Sequence, residues 1–325
     1  MDLHLLFKAI GFILLLVIGV PGNIFIIAQF TCFRIIEKKL LPANIILLVL
    51  SIVNLLVLLS RVIPQSLEAI GMENLLSDVE CKLVIYTYRV SRAMSISVTS
   101  LLSCYQCLLI TPRSGLCTYL KKIVTHNISI LILILWIINI IMYTYSMSIS
   151  RAKGNFTTSP YTLHVVYCNI DFLNYFTYIL NGAFFTNRDF IFIGLMTLAS
   201  GYIVYLLISH EKSIKGIRRS DRHKGRSVEY KASRAVILLV CLYVLLFGLD
   251  NAMWIYTLTM SNVSPNMNDA RILLACSYSA LSPLIIITSN PKLQQSMKWS
   301  QKNMMIHSQT SQNNTGDAKR VHYIS

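Results

Sequence analysis

The chain alternates between long stretches without a charged residue and short polar loops. Seven of these stretches, 9–33, 40–60, 93–112, 123–150, 190–210, 235–249 and 272–291, contain no Asp, Glu, Lys or Arg. A helix rises about 1.5 Å per residue, so roughly 20 apolar residues cross a hydrocarbon core of about 30 Å. The sixth stretch is short for a span. It continues through Asp250 into NAMWIYTLTM and reads as one helix with a single acid inside. A further apolar piece, 172–187, is broken by Asn174, Asn181 and Gly182 and reads as loop plus the first turns of the fifth helix. The pattern predicts an all-α membrane protein, a seven-helix bundle with helices near 5–33, 40–66, 81–112, 123–149, 180–210, 233–260 and 270–290. Residues 291–325 read as a largely disordered tail.

The third helix is the least uniform. Tyr88, Arg92, Ser95, Thr99, Ser103 and Gln106 follow one another at spacings of 4, 3, 4, 4 and 3, which stacks them in one polar stripe. Such a stripe faces protein, because a cation near mid-bilayer costs about 2.5–3.5 kcal/mol on the insertion scale. The helix carrying Arg89 and Arg92 is therefore expected to form a wall of a pocket.

Composition agrees: 54% of residues are hydrophobic and only 13% charged, where soluble domains carry about 25% charged residues. The net charge of +15 sits in short loops between apolar runs, as membrane topology requires, so no nucleic-acid partner is expected. Alternate loops and the tail hold twenty Lys and Arg, and the opposite set holds four: Lys82, Arg151, Lys153 and Arg271. That asymmetry places the N-terminus outside and the tail in the cytoplasm. The first run is long enough to span and lacks a basic leader, so it reads as an uncleaved anchor. Asn155, in Asn-Phe-Thr, is then a candidate glycosylation site in the second outer loop; Asn262 is followed too closely by Pro265 to be a good one. Of eight cysteines, Cys81 and Cys168 alone sit at outer ends of runs, where an oxidising compartment allows pairing.

No HExxH, GxSxG or P-loop pattern occurs and the 7 histidines are scattered, so neither enzyme activity nor a cofactor or metal is expected. A channel or transporter would continue its charges along the inner half of a pathway; here the charges within spans stop in the outer part.

LLVLSIVNLLVLLSRVIPQSLEAIG (47–71), CKLVIYTYRVSR (81–92), SLLSCYQCLLITPR (100–113) and CSYSALSPLIII (276–287) carry a more specific signal. Together they resemble the vomeronasal type-1 receptors and their fish counterparts, the class A-related olfactory receptors, which are G-protein-coupled receptors. The resemblance covers nearly all the helical core and is weakest in helix four, the second outer loop and the tail. It implies a chemosensory receptor in the plasma membrane of a sensory neuron, a small-molecule ligand, an inhibitory-class heterotrimeric G protein, and a disulfide tying Cys81 to Cys168. A bitter-taste receptor is the nearer alternative, disfavoured by the helix-two and helix-three motifs. Tyr105-Gln106-Cys107 replaces the usual acidic-Arg-Tyr triplet of rhodopsin-like receptors, Asn54 replaces the helix-two aspartate, and Ser282-Pro283 stands at the Asn-Pro position. A neutral cluster of Asn54, Ser95 and Ser282 is expected at mid-membrane in place of an ionic site.

Candidate ligand contacts are Arg92, Arg89, Arg61, Tyr88, Tyr278 and Asp250. Each has a packing alternative: the arginines can pair with Asp250, Glu68 or backbone carbonyls, and tyrosines also gather at membrane interfaces. Asp250 lies about 16 residues from the inner end of helix six, roughly 24 Å up, at pocket depth. A ligand carboxylate can compete with Asp250 for the same guanidinium. Glu68 is expected at the water boundary, solvated. The excess of arginine predicts a small anionic or phenolic ligand. Gln106, Arg113, Arg218 and Arg219 are expected to face the G protein, while part of the third inner loop's basic charge touches anionic lipid.

Overall fold

Apolar side chains on nearly every face leave these segments no soluble solution, and they fold as long rods. The computed structural model describes residues 3–38, 40–72, 76–112, 115–152, 162–165, 167–172, 174–215, 223–259 and 265–297. Seven helical stretches among them are long and apolar enough to cross a membrane, from Lys8–Glu37 to Asp269–Ser289. The elements are α1 (Leu3–Glu37), α2 (Pro42–Val57), α3 (Ile63–Ala69), α4 (Asp78–Ile110), α5 (Gly115–Tyr143), α6 (Tyr145–Ile149), α7 (Tyr175–Lys215), α8 (His223–Thr259) and α9 (Pro265–Ser289). Large apolar side chains such as Ile141, Phe176, Leu198 and Leu245 point outward, as a lipid-facing surface requires.

Local chemistry sets the ends that periodicity leaves open. The helix carrying the polar stripe begins at Asp78, earlier than expected, because Ser77 and Glu80 form a capping box, with Ser77 N donating to Glu80 Oε2 at 2.8 Å. Asn174 Oδ1 accepts from Thr177 N at 2.8 Å, so α7 starts at Tyr175 and absorbs the interrupted apolar piece. The sixth span runs through Asp250 to Thr259 as one helix. Beyond α9 the chain is helical again over 291–297, the first residues of the expected tail; the rest of that tail lies outside the described residues.

α2 and α3 are one rod joined by a π-helical turn, Leu58–Val62. Pro64 has no N–H and its ring crowds the carbonyl four residues back, so the helix widens there and Ile63 N bonds Leu58 O, five residues away. The extra residue rotates Arg61, which sits inside the turn. α1 approaches this rod and α9 closely through glycine. A Cβ on Gly19 would lie 2.5 Å from Leu58 Cδ1 and 2.8 Å from Ala280 Cα, and one on Gly22 would lie 2.8 Å from Pro283.

α4 is the axis of the bundle, packed on α2, α5, α7 and α8. Its Met94, Ile96, Val98 and Leu102 are buried in the main core. The neutral cluster is present. Asn54 donates to Ser282 Oγ at 2.9 Å and accepts from Ser95 Oγ at 2.7 Å, and Ser279 Oγ also donates to Asn54 Oδ1 at 3.3 Å. Asn23 adds α1 by donating to Gly19 O and Ser279 O.

The connection between α6 and α7, read from sequence only as loop, forms a three-stranded antiparallel sheet over one end of the bundle. Its strands are β1 (Ser150–Ala152), β2 (Thr162–Val165) and β3 (Cys168–Asp171), in the order β1-β3-β2. Ser150 pairs with Ile170 and Thr162 with Asp171. Cys81 and Cys168 are joined by a disulfide with Cα atoms 6.0 Å apart, which ties β3 to the first turn of α4. The other six cysteines take part in no disulfide among the described residues. A satellite core of Ile85, Ile149, Tyr167, Ile170 and Phe172 seals the sheet onto the helices.

Candidate functional site

Beneath the sheet a cavity of about 280 Å³ opens between α4, α5, α7, α8 and α9. Consecutive turns of α4 supply Tyr88, Arg89 and Arg92; α7 supplies Asp189, α8 Asp250 and α9 Arg271. A narrower space continues downward past Arg92 and Ser95 to Tyr243 and Tyr278. There Tyr278 and Thr99 share a hydrogen bond of 2.9 Å, and Tyr243 meets Tyr278 edge-on with ring centroids 4.7 Å apart.

Arg92 is the hub. Its Nη2 donates to Asp250 Oδ2 at 3.2 Å and its Nη1 to Tyr88 Oη at 3.3 Å. Asp250 Oδ1 also faces Arg271 Nε at 3.5 Å, so one carboxylate sits between guanidiniums from two helices. Arg89 Nη1 donates to Ser146 Oγ at 3.1 Å. Of the sequence-derived candidates, Arg92, Arg89, Tyr88 and Asp250 line one cavity and Tyr278 lines the narrower space below it.

Arg61 is placed elsewhere. The π turn directs it toward the sheet, where Nη1 donates to Tyr167 Oη at 2.8 Å and the guanidinium packs over the rings of Tyr88 and Tyr167, at 5.1 and 5.4 Å from their centroids. Burial pushes the Tyr167 phenol above the ordinary tyrosine range, partly offset by the Arg61 charge. Arg61 therefore holds the sheet down and reaches the cavity only through Tyr88. Glu68 is not simply solvated. With its side chain 31% exposed it bonds Lys8 Nζ at 3.1 Å, and Lys8 also meets Asp269 Oδ2 at 3.1 Å while Gln65 Nε2 donates to Asp269 Oδ1 at 2.9 Å. A short-range partner on α1, just outside the charge-free run, outcompetes water here.

Sequence reasoning passed over Arg188, Asp189 and Arg271. Arg188 is 8% exposed and crosses from α7 to α4 and α5: Nη2 donates to Ala93 O (2.9 Å), Ser97 Oγ (2.9 Å) and Asn139 Oδ1 (2.7 Å), and Nη1 to Tyr143 Oη (3.2 Å) and Asp189 Oδ1 (3.0 Å). The available signal was the adjacent Arg188-Asp189 pair between two uncharged stretches, 172–187 and 190–210, a combination that lipid does not tolerate unpaired. Arg271 was counted as a loop charge.

At the opposite end Gln106 is buried and borders a second cavity of about 450 Å³ with Asn44, Leu102, Val236, Leu239 and Ile286. Its described lining includes Lys292 but no carboxylate. Arg113, Arg218, Arg219, Asn155 and Asn262 lie outside the described residues.

Known proteins resemble this chain in sequence. The model of the vomeronasal organ pheromone receptor family matches residues 8–299. Olfactory receptor class A-like protein 1 of Danio rerio is 38% identical over 298 residues, 91% of this chain and 93% of the relative. Vomeronasal type-1 receptor 3 of Homo sapiens is 28% identical over 288 residues, covering 88% and 92%. Vomeronasal type-1 receptor 90 of Rattus norvegicus is 29% identical over 289 residues, covering 87% and 90%. With seven membrane-crossing rods, the disulfide from α4 to the sheet and a family match over nearly its whole length, the chain belongs to the vomeronasal organ pheromone receptor family, as a multi-pass protein of the plasma membrane.

Proposed function

We propose that this receptor stands with its N-terminus and sheet outside the cell, binds a small anionic or phenolic chemosensory ligand in the cavity beneath the sheet, and activates an inhibitory-class heterotrimeric G protein at the opposite end. The observation that carries the ligand reading is the charge of the cavity wall: Arg89, Arg92 and Arg271 against Asp189 and Asp250, with Asp189 already engaged by Arg188. Walls of low polarizability make that excess felt more strongly than it would be in water. Tyr88 supplies a hydroxyl and Phe185 and Phe247 supply apolar faces, so an amphipathic ligand is accommodated. No carboxylate on α4 lines the cavity to receive an amine. Ligand binding favours one packing of α8 against α4, and the altered mouth around Gln106 is what the G protein reads.

The test is a screen of acids paired with their neutral methyl esters, together with primary amines, on surface-expressed receptor in cells carrying a promiscuous G protein. Acids or phenols are expected to activate and their esters and the amines to fail. Potent primary amines with inert acids overturn the reading.

A further inference from the structure

Asp250 lies in the cavity within ion-pair distance of two guanidiniums from different helices. Oδ2 faces Arg92 Nη2 from α4 and Oδ1 faces Arg271 Nε from α9, at 3.2 and 3.5 Å. Both separations exceed the 2.7–2.9 Å, roughly, of a well-formed charge-assisted bond. The acid is tethered to α8 and cannot approach both cations closely. Each prong is set by its own helix, independently of the acid between them. Arg92 is steadied by Tyr88, whose ring lies under Arg61. Arg271 follows two residues after Asp269, which Lys8 and Gln65 anchor to α1 and α3. Arg92 and Arg271 keep 29% and 23% of their side-chain surface exposed, while Asp250 keeps 10%.

We infer that Arg92 and Arg271 form a two-pronged seat for a ligand carboxylate, and that Asp250 occupies this seat as an internal competitor, so that the ligand's oxyanion takes the place of Asp250 and releases α8. This rests on the anionic-ligand reading and adds to it a new contact, Arg271, and an opposite sign for Asp250. An acid that merely lined the pocket as a ligand contact would be missed when removed. An acid that fills the seat obstructs, and its removal strengthens anion binding. An untethered carboxylate can settle at bonding distance from both guanidiniums, which is why it can win against a covalently local rival. The surplus charge also permits it: Arg89, Arg92 and Arg271 line the cavity against Asp189 and Asp250, and Asp189 also pairs with Arg188 at 3.0 Å.

The test follows thermal unfolding of the full-length receptor in lipid nanodiscs with increasing sodium benzoate, against methyl benzoate and sodium chloride of equal ionic strength. Benzoate is expected to stabilise the wild type where the ester and the chloride do not. Asp250→Asn, which keeps shape and removes charge, is expected to lower the half-saturating benzoate concentration about tenfold, and Arg271→Gln to raise it about tenfold. Arg271→Lys is expected to recover only part, since lysine lacks the planar fork. Melting without ligand reports separately whether each variant folds, and Asp250→Ser gives a second test of the same position. If Asp250→Asn and Asp250→Ser bind benzoate no better than wild type, or Arg271→Gln binds it equally well, while Arg92→Ala abolishes binding, the inference is wrong and the anionic-ligand reading survives. If benzoate and its ester behave alike, or benzoate stabilises no receptor, both fall together.

Discussion

Replacing Arg188 by alanine is expected to cost more stability than any other single charge removal in the bundle. Its two terminal nitrogens serve five acceptors on three helices: Ala93 O and Ser97 Oγ on α4, Asn139 Oδ1 and Tyr143 Oη on α5, and Asp189 Oδ1 beside it on α7. Ser97 Oγ retains its bond to Ala93 O at 2.9 Å and Asn139 Nδ2 its bond to Leu135 O at 2.7 Å, so part of the network persists. Asp189, with 17% of its side chain exposed, loses its directly bonded cation and keeps only the Arg92 charge across the cavity, beyond ion-pair distance. Breaking a buried ion pair from one side costs about 3–5 kcal/mol, and that sets the expected loss. Arg188→Ala/Asp189→Asn is expected to be less destabilised than Arg188→Ala alone, because the orphaned charge is removed with its partner. Unfolding free energies from detergent titration of the full-length protein in mixed micelles decide it. A loss below about 1 kcal/mol for Arg188→Ala, or a double variant less stable than Arg188→Ala, would refute the network as described.

Gly19→Leu is expected to destabilise by about 1–3 kcal/mol by forcing α1 off Leu58 and the Ala280 backbone, whereas Gly11→Ala, whose Cβ meets only Leu273 side-chain atoms at 3.4 Å, stays near wild type in the same titration. Gln106→Ala is expected to leave basal signalling close to wild type, since the described lining of its cavity offers no carboxylate for a lock; a large rise in constitutive activity in transfected cells counts against this. The folded Tyr167 phenol titrates above its unfolded value, so its contribution is complete below the usual tyrosine range, near about 10, and is lost as pH rises beyond it. Tyr167→Phe is therefore expected to make the alkaline decline in stability shallower; an unchanged slope says that Arg61 does not hold the sheet through this hydroxyl.

The bundle was legible because lipid is a strict solvent: a run without charge has few folds open to it, and the stripe from Tyr88 to Gln106 had to face protein. The same logic led to the Asn54–Ser95–Ser282 cluster and to a pairing of Asp250 with one of Arg61, Arg89 and Arg92, which the fold assigns to Arg92; each was a polar group that needed a partner at its own depth. What escaped reading sat at the ends of runs. Lys8 and Arg271 lie where a charge is equally at home in water, and only the fold shows that each turns inward. Arg188 was hidden by its neighbour Asp189, which made the pair look like a boundary. The π turn was written in Pro64, but whether a helix answers a proline by kinking or by widening depends on what packs against it. The sheet was missed because its strands are three or four residues long, too short for alternation to register against loop.

The cluster joining Asn23, Asn54, Ser95, Ser279 and Ser282 contains amides and hydroxyls only. Moving one elementary charge across a membrane at about 100 mV changes its energy by about 2.3 kcal/mol, enough to bias a two-state packing about fiftyfold. A rearrangement of these five side chains transports no charge and takes up no proton. The centre of the bundle is thereby electrically silent: a shift among α1, α2, α4 and α9 at this level is expected to proceed alike in a resting cell and in a depolarised one, and voltage sensitivity falls to the arginines near the sheet.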